Sequence, residues 1–281
     1  MTTPGNPGLL PEQDGSPRES ETTAASDASD LATDQQIVTL NAAILREKGI
    51  DIGPHSAILD FGCGPGRHVY EHLDQGYRNI HGYDIRNYVD LRDPVDIERF
   101  RFDPGERMTE IPFPDASFDF IYSYSVFEHV MEPELAFREI YRVLKPGGVS
   151  LHNFPSRWRP IEPHMFVPFS SVFRSEAYFY FWALMGIRNS FQKGLSARET
   201  ARRNHAYGQT GINYPSGGEI DRMLKAIFDR VDYVEVAFLK HSPGQSRLLF
   251  GPVRLFPWLI HLFRFIHTRV VLLHRAGTPA A

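Results

Sequence analysis

Cysteine is nearly absent from the 281-residue sequence, in which Cys63 is the only one. A single cysteine cannot form an intramolecular disulfide, so the sequence predicts no disulfide framework and favours a reducing cytoplasm. The 30 Lys and Arg residues nearly balance the 34 Asp and Glu residues, which leaves a formal charge of −4. A charge so close to neutral does not indicate a nucleic-acid partner, and we expect none.

The residue pattern typical of a secretory leader is also absent from the N-terminal residues. The N-terminal residues contain neither a basic segment nor an apolar core, so we expect no signal peptide and a cytoplasmic location. Residues 1–31 are rich in Ser, Thr, Pro, Gly, Asp and Glu. Because they offer no apolar face to bury, we expect them to be disordered. Order is expected to begin with a capping box at 33–36 and an amphipathic helix through about Lys48.

Acidic residues are absent after Glu235, and the segment 253–275 is apolar and basic. Its polar residues recur on one helical face, which predicts an amphipathic helix: Arg254, His261, Arg264, Thr268 and Arg275. Arginines interrupt the segment too often for it to span a bilayer. One alternative is a helix in the plane of a membrane surface. The other, which we favour, is a helix packed on the domain or on a second subunit.

What the sequence does contain is a glycine-rich turn within 57–68, read as Ala-Ile-Leu-Asp-Phe-Gly-Cys-Gly-Pro-Gly-Arg-His. An apolar run, three glycines and a helix start predict the ligand-binding corner of a doubly wound α/β sheet. Glycine lets backbone N–H groups approach a ligand closely, and the helix N-terminus offers further N–H groups. The dinucleotide pattern needs a glycine at Arg67, which disfavours a nicotinamide-dependent oxidoreductase. Asp84 ends the next strand-like run and suits a ribose diol, because it can accept two hydrogen bonds.

Four motifs in order resemble those of class I S-adenosylmethionine-dependent methyltransferases, and within them the type-11 methyltransferase domain. The motifs are Leu59–Gly66, which is similar to the first family motif, Asp84 as the ribose-binding acid, Ile111–Asp119 with Ser125–Val130, and the Arg142–Gly148 turn. Together they cover about residues 55–154. The resemblance implies S-adenosyl-L-methionine as the cofactor.

The resemblance also implies an α/β fold with a Rossmann-like seven-stranded sheet and helices on both faces. A helical, aromatic-rich insertion is expected after strand five, with a C-terminal amphipathic helix at the end. The expected parts are a core at 32–154 that binds the cofactor, an acceptor-binding cap at 155–215, the last helix and strands of the core at 216–251, and the C-terminal helix and tail at 252–281. The last two strands are predicted as an antiparallel pair at Val231–Leu239 and Arg247–Phe250.

Ten residues are expected to hold the cofactor if the family pattern applies: Asp60, Gly62, Cys63, Gly64, Gly66, Asp84, Ile85, Arg107, Met108 and Ser125. One of them departs from that pattern, because the usual adenine-contacting acid falls on Arg107, and an arginine has no acceptor for the adenine amino group. The alternative acceptors are Glu106 and the backbone around Met108. Met108 is expected either to pack on the adenine face or to belong to the core. Cys63 is expected to be a small packed residue rather than a reactive thiol.

The preferred candidates for a general base are His129, His164 and His152, and Tyr124 and Tyr214 are less preferred. Sequence spacing alone does not choose among them. The pair Glu128-His129 resembles part of the E-x-x-E-H run that has been linked to a metal in ubiquinone-pathway O-methyltransferases. Ser125 stands at the first carboxylate position, and two adjacent ligands make a poor site, so no metal is predicted. Polar residues are expected near the rim of the acceptor site: Arg157, Arg159, Glu162 and His164.

Aromatic residues crowd the interval 166–182 and predict either a lid over a bulky apolar or planar acceptor or the small core of a helical cap. The predicted function is S-adenosylmethionine-dependent methyl transfer, with O-methylation of a small or lipid- or glycan-linked acceptor preferred. Peripheral membrane contact through 253–275 and a homodimer remain open. The alternative function is a non-catalytic, methyltransferase-like subunit that binds a membrane or a protein partner.

Overall fold

The fold is taken from a computed structural model, which describes residues 37–103, 108 and 110–277. The predicted disordered segment 1–31 and the predicted capping box at 33–36 lie outside these residues. The first helix, α1, covers 37–47 and buries Leu40, Ile44 and Leu45 against the sheet. This apolar spacing is that of one helical face, so α1 covers the sheet as the sequence predicts.

Seven strands among the described residues form one sheet in the order β3-β2-β1-β4-β5-β7-β6. The strands are β1 Ile58–Phe61, β2 Ile80–Asp84, β3 Phe100–Phe102, β4 Phe118–Tyr124, β5 Leu144–Pro155, β6 Arg230–Tyr233 and β7 Thr268–His274. Neighbours from β3 to β5 pair in parallel, and β7 runs antiparallel to both β5 and β6. Every residue of β1 is buried, because helices cover both faces of a parallel sheet.

The helices lie on the two faces of the sheet and in the insertion after β5. They are α2 Arg67–Asp74, α3 Pro133–Val143, α4 Glu176–Leu184, α5 Ala197–Thr210, α6 Gly217–Ile227, α7 Glu235–His241, α8 Phe250–Leu255 and α9 Leu259–Ile266. One core cluster joins the sheet to α1, α2 and α7–α9, and a second joins it to α3 and α6. This arrangement confirms the predicted α/β class with helices on both faces.

The insertion after β5 has a small apolar centre of its own. Its buried members are Met165, Val167, Phe179, Ala201, Ile212 and Tyr214. On α4 the aromatic side chains divide: Phe179 is fully buried, whereas Phe181 and Tyr180 are exposed. Part of the aromatic segment therefore forms the core of a helical cap, and part of it faces solvent.

The predicted C-terminal elements are wrong in their positions. The segment predicted as strand Val231–Leu239 is a short β6 followed by α7, and Arg247–Phe250 is a 3-10 turn that leads into α8. The single helix predicted within 252–281 is instead α8, α9 and the buried strand β7. Pro257 separates the two helices, because proline has no N–H to donate and disfavours helix in the residue before it. The run Val270–Leu273 is fully buried between β5 and β6. Because its residues are buried on both faces of the sheet, the segment forms a central strand rather than an amphipathic helix.

Candidate functional site

The glycine turn between β1 and α2 adopts backbone angles that only glycine accepts without strain. The φ values of Gly62, Gly64 and Gly66 are 79°, 48° and 82°. A Cβ at Gly62 would collide with the Val126 side chain, and one at Gly66 would lie 2.9 Å from the Phe100 ring. The turn is therefore a tight cradle, and no side chain caps the N-terminus of the helix that follows it.

Asp84 ties the end of β2 to this turn. The Gly64 N–H donates to Asp84 Oδ2 at 2.8 Å, while Oδ1 lies 3.4 Å from the Arg86 N–H. The carboxylate is half-buried; burial raises its pKa, and the backbone N–H groups act in the opposite direction. An anionic acceptor thus stands beside the glycine cradle, which is the arrangement that a ribose diol needs.

Two of the predicted cofactor residues are buried beneath the turn. Asp60 faces α2, and its Oδ2 lies 3.7 Å from His68 Nδ1. Cys63 is also buried, and its sulfur packs close to Gly82; burial, with the charges of Asp60 and Asp84, raises the pKa of its thiol. Both residues shape the turn from below, and Cys63 occupies the packed position predicted for it.

The remaining predicted cofactor residues are spread around the rim. Ile85 is exposed directly after Asp84, and Met108 packs on the second core cluster. Ser125 is exposed at the end of β4 with a φ of 54°, and its N–H donates to the Asn153 carbonyl oxygen at 2.8 Å. Arg107 and the neighbouring Glu106 lie outside the described residues. The acceptor for the adenine amino group, predicted as Glu106 or the backbone around Met108, therefore stays a prediction.

Glu128 is a buried carboxyl group in the loop between β4 and α3, and the sequence suggested it only as a metal ligand. Burial raises its pKa to about 7; the Glu162 charge adds to this, while His164 and Arg159 oppose it. The Asn213 N–H donates to the Glu128 carbonyl oxygen at 2.6 Å, which fastens the end of the cap over this loop. A carboxyl group that titrates near neutrality can take up a proton at physiological pH, as a general base must.

A second buried carboxyl group, Glu162, holds His164 in place. Glu162 Oε1 and His164 Nδ1 are 2.6 Å apart, and Oε2 accepts the backbone N–H groups of His164 and Met165. The Tyr214 hydroxyl donates to Glu162 Oε1 at 3.3 Å. Burial alone would raise the pKa of Glu162, but these hydrogen bonds outweigh it and lower the pKa. Glu162 is thus an ionised anchor for the ring of His164.

His129 meets His164 at the same place. The two rings lie edge to face with centroids 4.7 Å apart, and His129 Nδ1 is 2.8 Å from the Gly211 carbonyl oxygen. His129 is exposed, whereas Glu128 beside it is buried. The structure therefore brings together His129 and His164 of the predicted candidates, with Glu128, Glu162 and Tyr214 around them.

His152 does not belong to this group. Its ring is completely buried, lies edge to face with Phe127 and Phe137, and its Nδ1 is 2.8 Å from Ser123 Oγ. Burial lowers its pKa to about 3, so the ring is neutral at any physiological pH. The prediction of His152 as a base is thus corrected: it is a core residue that packs against Phe127 and Phe137, and its low pKa makes it a poor base at physiological pH.

Within the described ranges, no group of three or more His, Cys, Asp or Glu side chains has the geometry of a metal site. Across the same ranges, no helix combines the length and the apolar character that crossing a bilayer requires.

Comparison with known proteins assigns the segment that carries the cradle. The family model of the methyltransferase domain matches residues 59–151. The chain is similar to a sterol 24-C-methyltransferase of Gibberella zeae, with 35% identity over 36% of this chain and 28% of that one. It is also similar to a malonyl-[acyl-carrier protein] O-methyltransferase of Erwinia billingiae, with 28% identity over 41% of this chain and 50% of the other.

Among solved structures, the YcgJ protein of Bacillus subtilis superposes with a TM-score of 0.47 and 15% identity, over 87% of this chain and 99% of that one. The chain spans between about a quarter and a half of the length of the curated relatives named above. The matched segment contains β1, the glycine turn, Asp84 and most of β5. The family match confirms the prediction from the motifs for residues 59–151, which carry a methyltransferase domain, and with it the predicted cofactor, S-adenosylmethionine.

Proposed function

We propose that this chain transfers the methyl group of S-adenosylmethionine to a hydroxyl group of a small or lipid- or glycan-linked acceptor. The observation that carries the proposal is the contact between the glycine turn and the loop of Glu128. Gly62 packs directly on Val126, two residues before the buried carboxyl group. A ligand in the cradle and an acceptor at Glu128 would therefore be neighbours.

The residues around the cradle fit this cofactor. Asp84 offers a half-buried carboxylate for the ribose, and the uncapped start of α2 offers backbone N–H groups for an anionic or polar group. Side chains at Gly62 and Gly66 would collide with Val126 and Phe100, so the backbone is kept open for close approach. When bound, S-adenosylmethionine supplies an electrophilic methyl group.

The acceptor side has a group that can remove a proton. A general base contributes about 10²–10⁴-fold to such reactions and works best when its pKa lies near the working pH. Glu128 meets this condition with its pKa of about 7. Glu162 fixes the ring of His164, which lies against His129, so two histidines are available to orient the acceptor. We assign the base role to Glu128 and a positioning role to Glu162.

Replacing Asp84 by alanine should weaken the binding of S-adenosylmethionine about 10- to 100-fold. The reason is that hydrogen bonds to a charged group contribute about 1.5–3 kcal/mol, and this carboxylate also holds the Gly64 N–H. Isothermal titration calorimetry of the purified chain measures the effect directly.

The matched control for this experiment is Asp51→Ala, an exposed aspartate in the loop before β1, which should leave the affinity unchanged. NADH, titrated in parallel, should not bind, because Arg67 stands where a dinucleotide site needs glycine. If the unmodified chain fails to bind S-adenosylmethionine, the catalytic proposal is wrong and the non-catalytic function below takes its place.

A second candidate function is attachment to a membrane, and an exposed apolar surface favours it. Several large side chains of the C-terminal helices are mostly exposed, with Leu255 at 76%, Trp258 at 63% and Phe256 at 56%. We call six of these exposed side chains the C-terminal apolar patch: Leu248, Leu255, Phe256, Trp258, Leu262 and Phe265. Exposed apolar side chains in this number mark a binding surface rather than an ordinary face of a domain.

The charges around the C-terminal apolar patch favour an anionic lipid surface over a second copy of the chain. Arg247, Arg254 and His261 are exposed among the apolar residues, and the sequence has no acidic residue after Glu235. Basic and aromatic side chains together are typical of surfaces that lie in the membrane interface. A twofold dimer through this patch would instead bring these like charges together.

The double substitution Leu255→Ser with Trp258→Ser should reduce binding to vesicles of phosphatidylglycerol and phosphatidylcholine by about tenfold or more. Each large apolar side chain contributes about 1.5–3 kcal/mol when it leaves water, and both are exposed in the free protein. Cosedimentation with the vesicles measures the bound fraction. Added salt should also weaken the binding, since the arginine contribution is screened.

The control is Leu184→Ser, because Leu184 is an exposed leucine at the end of α4, outside the patch. Equal sedimentation of the double variant and the unmodified chain would show that this surface does not bind lipid. Self-association of the unmodified chain in sedimentation velocity, abolished by the double variant, would assign the patch to a dimer instead.

A further inference from the structure

A cleft of about 800 Å³ opens between the cap and the helices α3 and α6. We call it the outer cleft; Pro133, Arg157, Tyr214 and Arg222 are among the residues that line it. A narrower cavity shares Pro133, Arg157 and Tyr214 with it and extends to Glu128. The volume falls within the range of about 300–1,000 Å³ that small-molecule sites occupy. The outer cleft is therefore large enough for a ligand of moderate size, whereas the narrower cavity, at about 10 Å³, has room for little more than one water.

Four guanidinium groups line the outer cleft and its extension: Arg157, Arg174, Arg222 and Arg269. Arg174 is structural, because it donates to the carbonyl oxygens of Ser171 and Gly208 and thereby holds the cap together. The other three differ from it. Among the described residues, no hydrogen bond or ion pair engages the guanidinium groups of Arg157, Arg222 and Arg269.

The carboxylates of the outer cleft balance these cations only in part, because one of them, Glu219, interacts with Arg157 and Arg222 through its charge. Glu134 pairs with Arg138 at 2.7 Å, and Glu219 Oε2 accepts the Ser216 N–H at 2.7 Å in the capping box of α6. Burial and then repulsion by Arg157 lower the pKa of Arg174, and both residues line the outer cleft. Like charges in one cleft, with half-buried Arg157 free to donate, favour a bound anion.

We propose that the outer cleft binds an oxyanion of the acceptor, a phosphate or a carboxylate, through Arg157 with Arg222 and Arg269 beside it. This inference rests on the proposed methyl transfer and narrows the acceptor to an anionic one. Guanidinium groups recognise both oxyanions through paired N–H donors. Held in this way, the acceptor lies beside the narrow cavity that Glu128 also lines.

The test is titration of the full chain with inorganic phosphate and, separately, with acetate, at constant ionic strength in a calorimeter. We expect Arg157→Gln to weaken binding of the preferred anion about tenfold or more, since a charged hydrogen-bond pair is lost. Arg222→Gln should weaken it less, because Arg222 is exposed. Arg198→Gln, on an exposed part of α5, is the matched control and should leave binding unchanged. The anion that binds with the higher affinity shows whether the acceptor carries a phosphate or a carboxylate.

The inference is wrong if both anions bind the two variants, Arg157→Gln and Arg222→Gln, as tightly as they bind the unmodified chain. It is also wrong if neither anion binds the unmodified chain. Arg222→Gln keeps the test valid if Arg157→Gln does not fold. Titration with S-adenosylmethionine separates this inference from the proposed function. A chain that binds S-adenosylmethionine but neither anion refutes the anion site alone, and a chain that binds phosphate at Arg157 without binding S-adenosylmethionine refutes the methyl transfer alone.

Discussion

Replacing Glu128 by glutamine should lower the rate of methyl transfer to a hydroxyl acceptor by about 10²–10⁴-fold, the usual contribution of a general base. Glutamine keeps the shape of the side chain but cannot accept a proton at any pH near neutrality. In the unmodified chain the rate should rise with pH up to about 7 and then level off, because Glu128 loses its proton there. Release of S-adenosylhomocysteine, measured with a hydroxyl acceptor found by screening, gives the rate.

Glu132→Gln is the control, since Glu132 is an exposed carboxylate in the same loop. It should leave both the rate and the pH profile unchanged. If Glu128→Gln is as active as the unmodified chain, then the base is another group, and His129 and His164 are next in line by their position.

The same substitution should have a pH-dependent effect on stability that requires no acceptor. Burial raises the folded-state pKa of Glu128 from its ordinary value of 4.5 to about 7. A raised pKa means that the folded state holds the proton more tightly, so this stabilising contribution is complete below pH 4.5 and is lost as the pH rises to about 7.

At about 1.4 kcal/mol per pH unit, this loss amounts to about 3 kcal/mol over the window. The free energy of unfolding of Glu128→Gln should therefore rise relative to that of the unmodified chain between about pH 5 and about pH 8. Urea unfolding at both pH values measures the difference. A pH-independent difference would show that the carboxyl group titrates in its ordinary range, and it would remove the argument for Glu128 as the base.

The sequence predicts the glycine turn and its neighbour Asp84 well because their determinants are local. The turn at Gly62, Gly64 and Gly66 needs positive φ angles and lacks room for side chains, and both requirements are visible as glycines. The position of Asp84 follows from the neighbouring ends of parallel strands, since residues 60 and 82 are paired in the sheet. Sequence spacing alone is enough to bring these groups together.

The acceptor side could not be predicted to the same depth, because it is built from distant segments. The pKa of Glu128 depends on burial by the cap and on Glu162, which lies in another segment of the chain. His129 and His152 look alike in the sequence, yet one lies at the surface and the other in the core. The signal that the sequence offered for Glu128 was its likeness to part of an E-x-x-E-H run linked to a metal, from which no metal was predicted, and it did not point to a base.

The wrong prediction of a single C-terminal helix also arises from contacts between distant segments. One of these contacts, the ion pair between Glu235 and Arg264, should have a large effect on stability. The helical spacing of arginines in 253–275 predicted one amphipathic face, but Arg264 turns inward and pairs with Glu235, the last acidic residue of the chain. Arg264 Nε and Nη2 each lie 2.8 Å from one oxygen of Glu235, and the Glu235 side chain is completely buried. The Val270 N–H of β7 also donates to Glu235 Oε1, at 3.3 Å. One carboxylate therefore joins α7, α9 and β7.

Glu235→Ala should destabilise the fold by about 3–5 kcal/mol, because it leaves Arg264 largely buried without a counter-charge and removes the acceptor of the Val270 N–H. Urea unfolding at neutral pH measures the loss as a lower midpoint with an unchanged slope. The control is Glu199→Ala on α5, which removes an equally well-formed pair with Arg202 and Arg203 from an exposed surface and should change the midpoint little.

The double variant Glu235→Leu with Arg264→Met decides whether the effect comes from the uncompensated charge. Apolar side chains of similar size often replace a buried ion pair with little loss or with a gain in stability. The double variant should therefore recover most of the unfolding free energy that Glu235→Ala loses. If it is as unstable as Glu235→Ala, then packing at this junction, and not the charge of Arg264, holds β7 in the sheet. In that case the C-terminal apolar patch owes its position to the strand rather than to the ion pair.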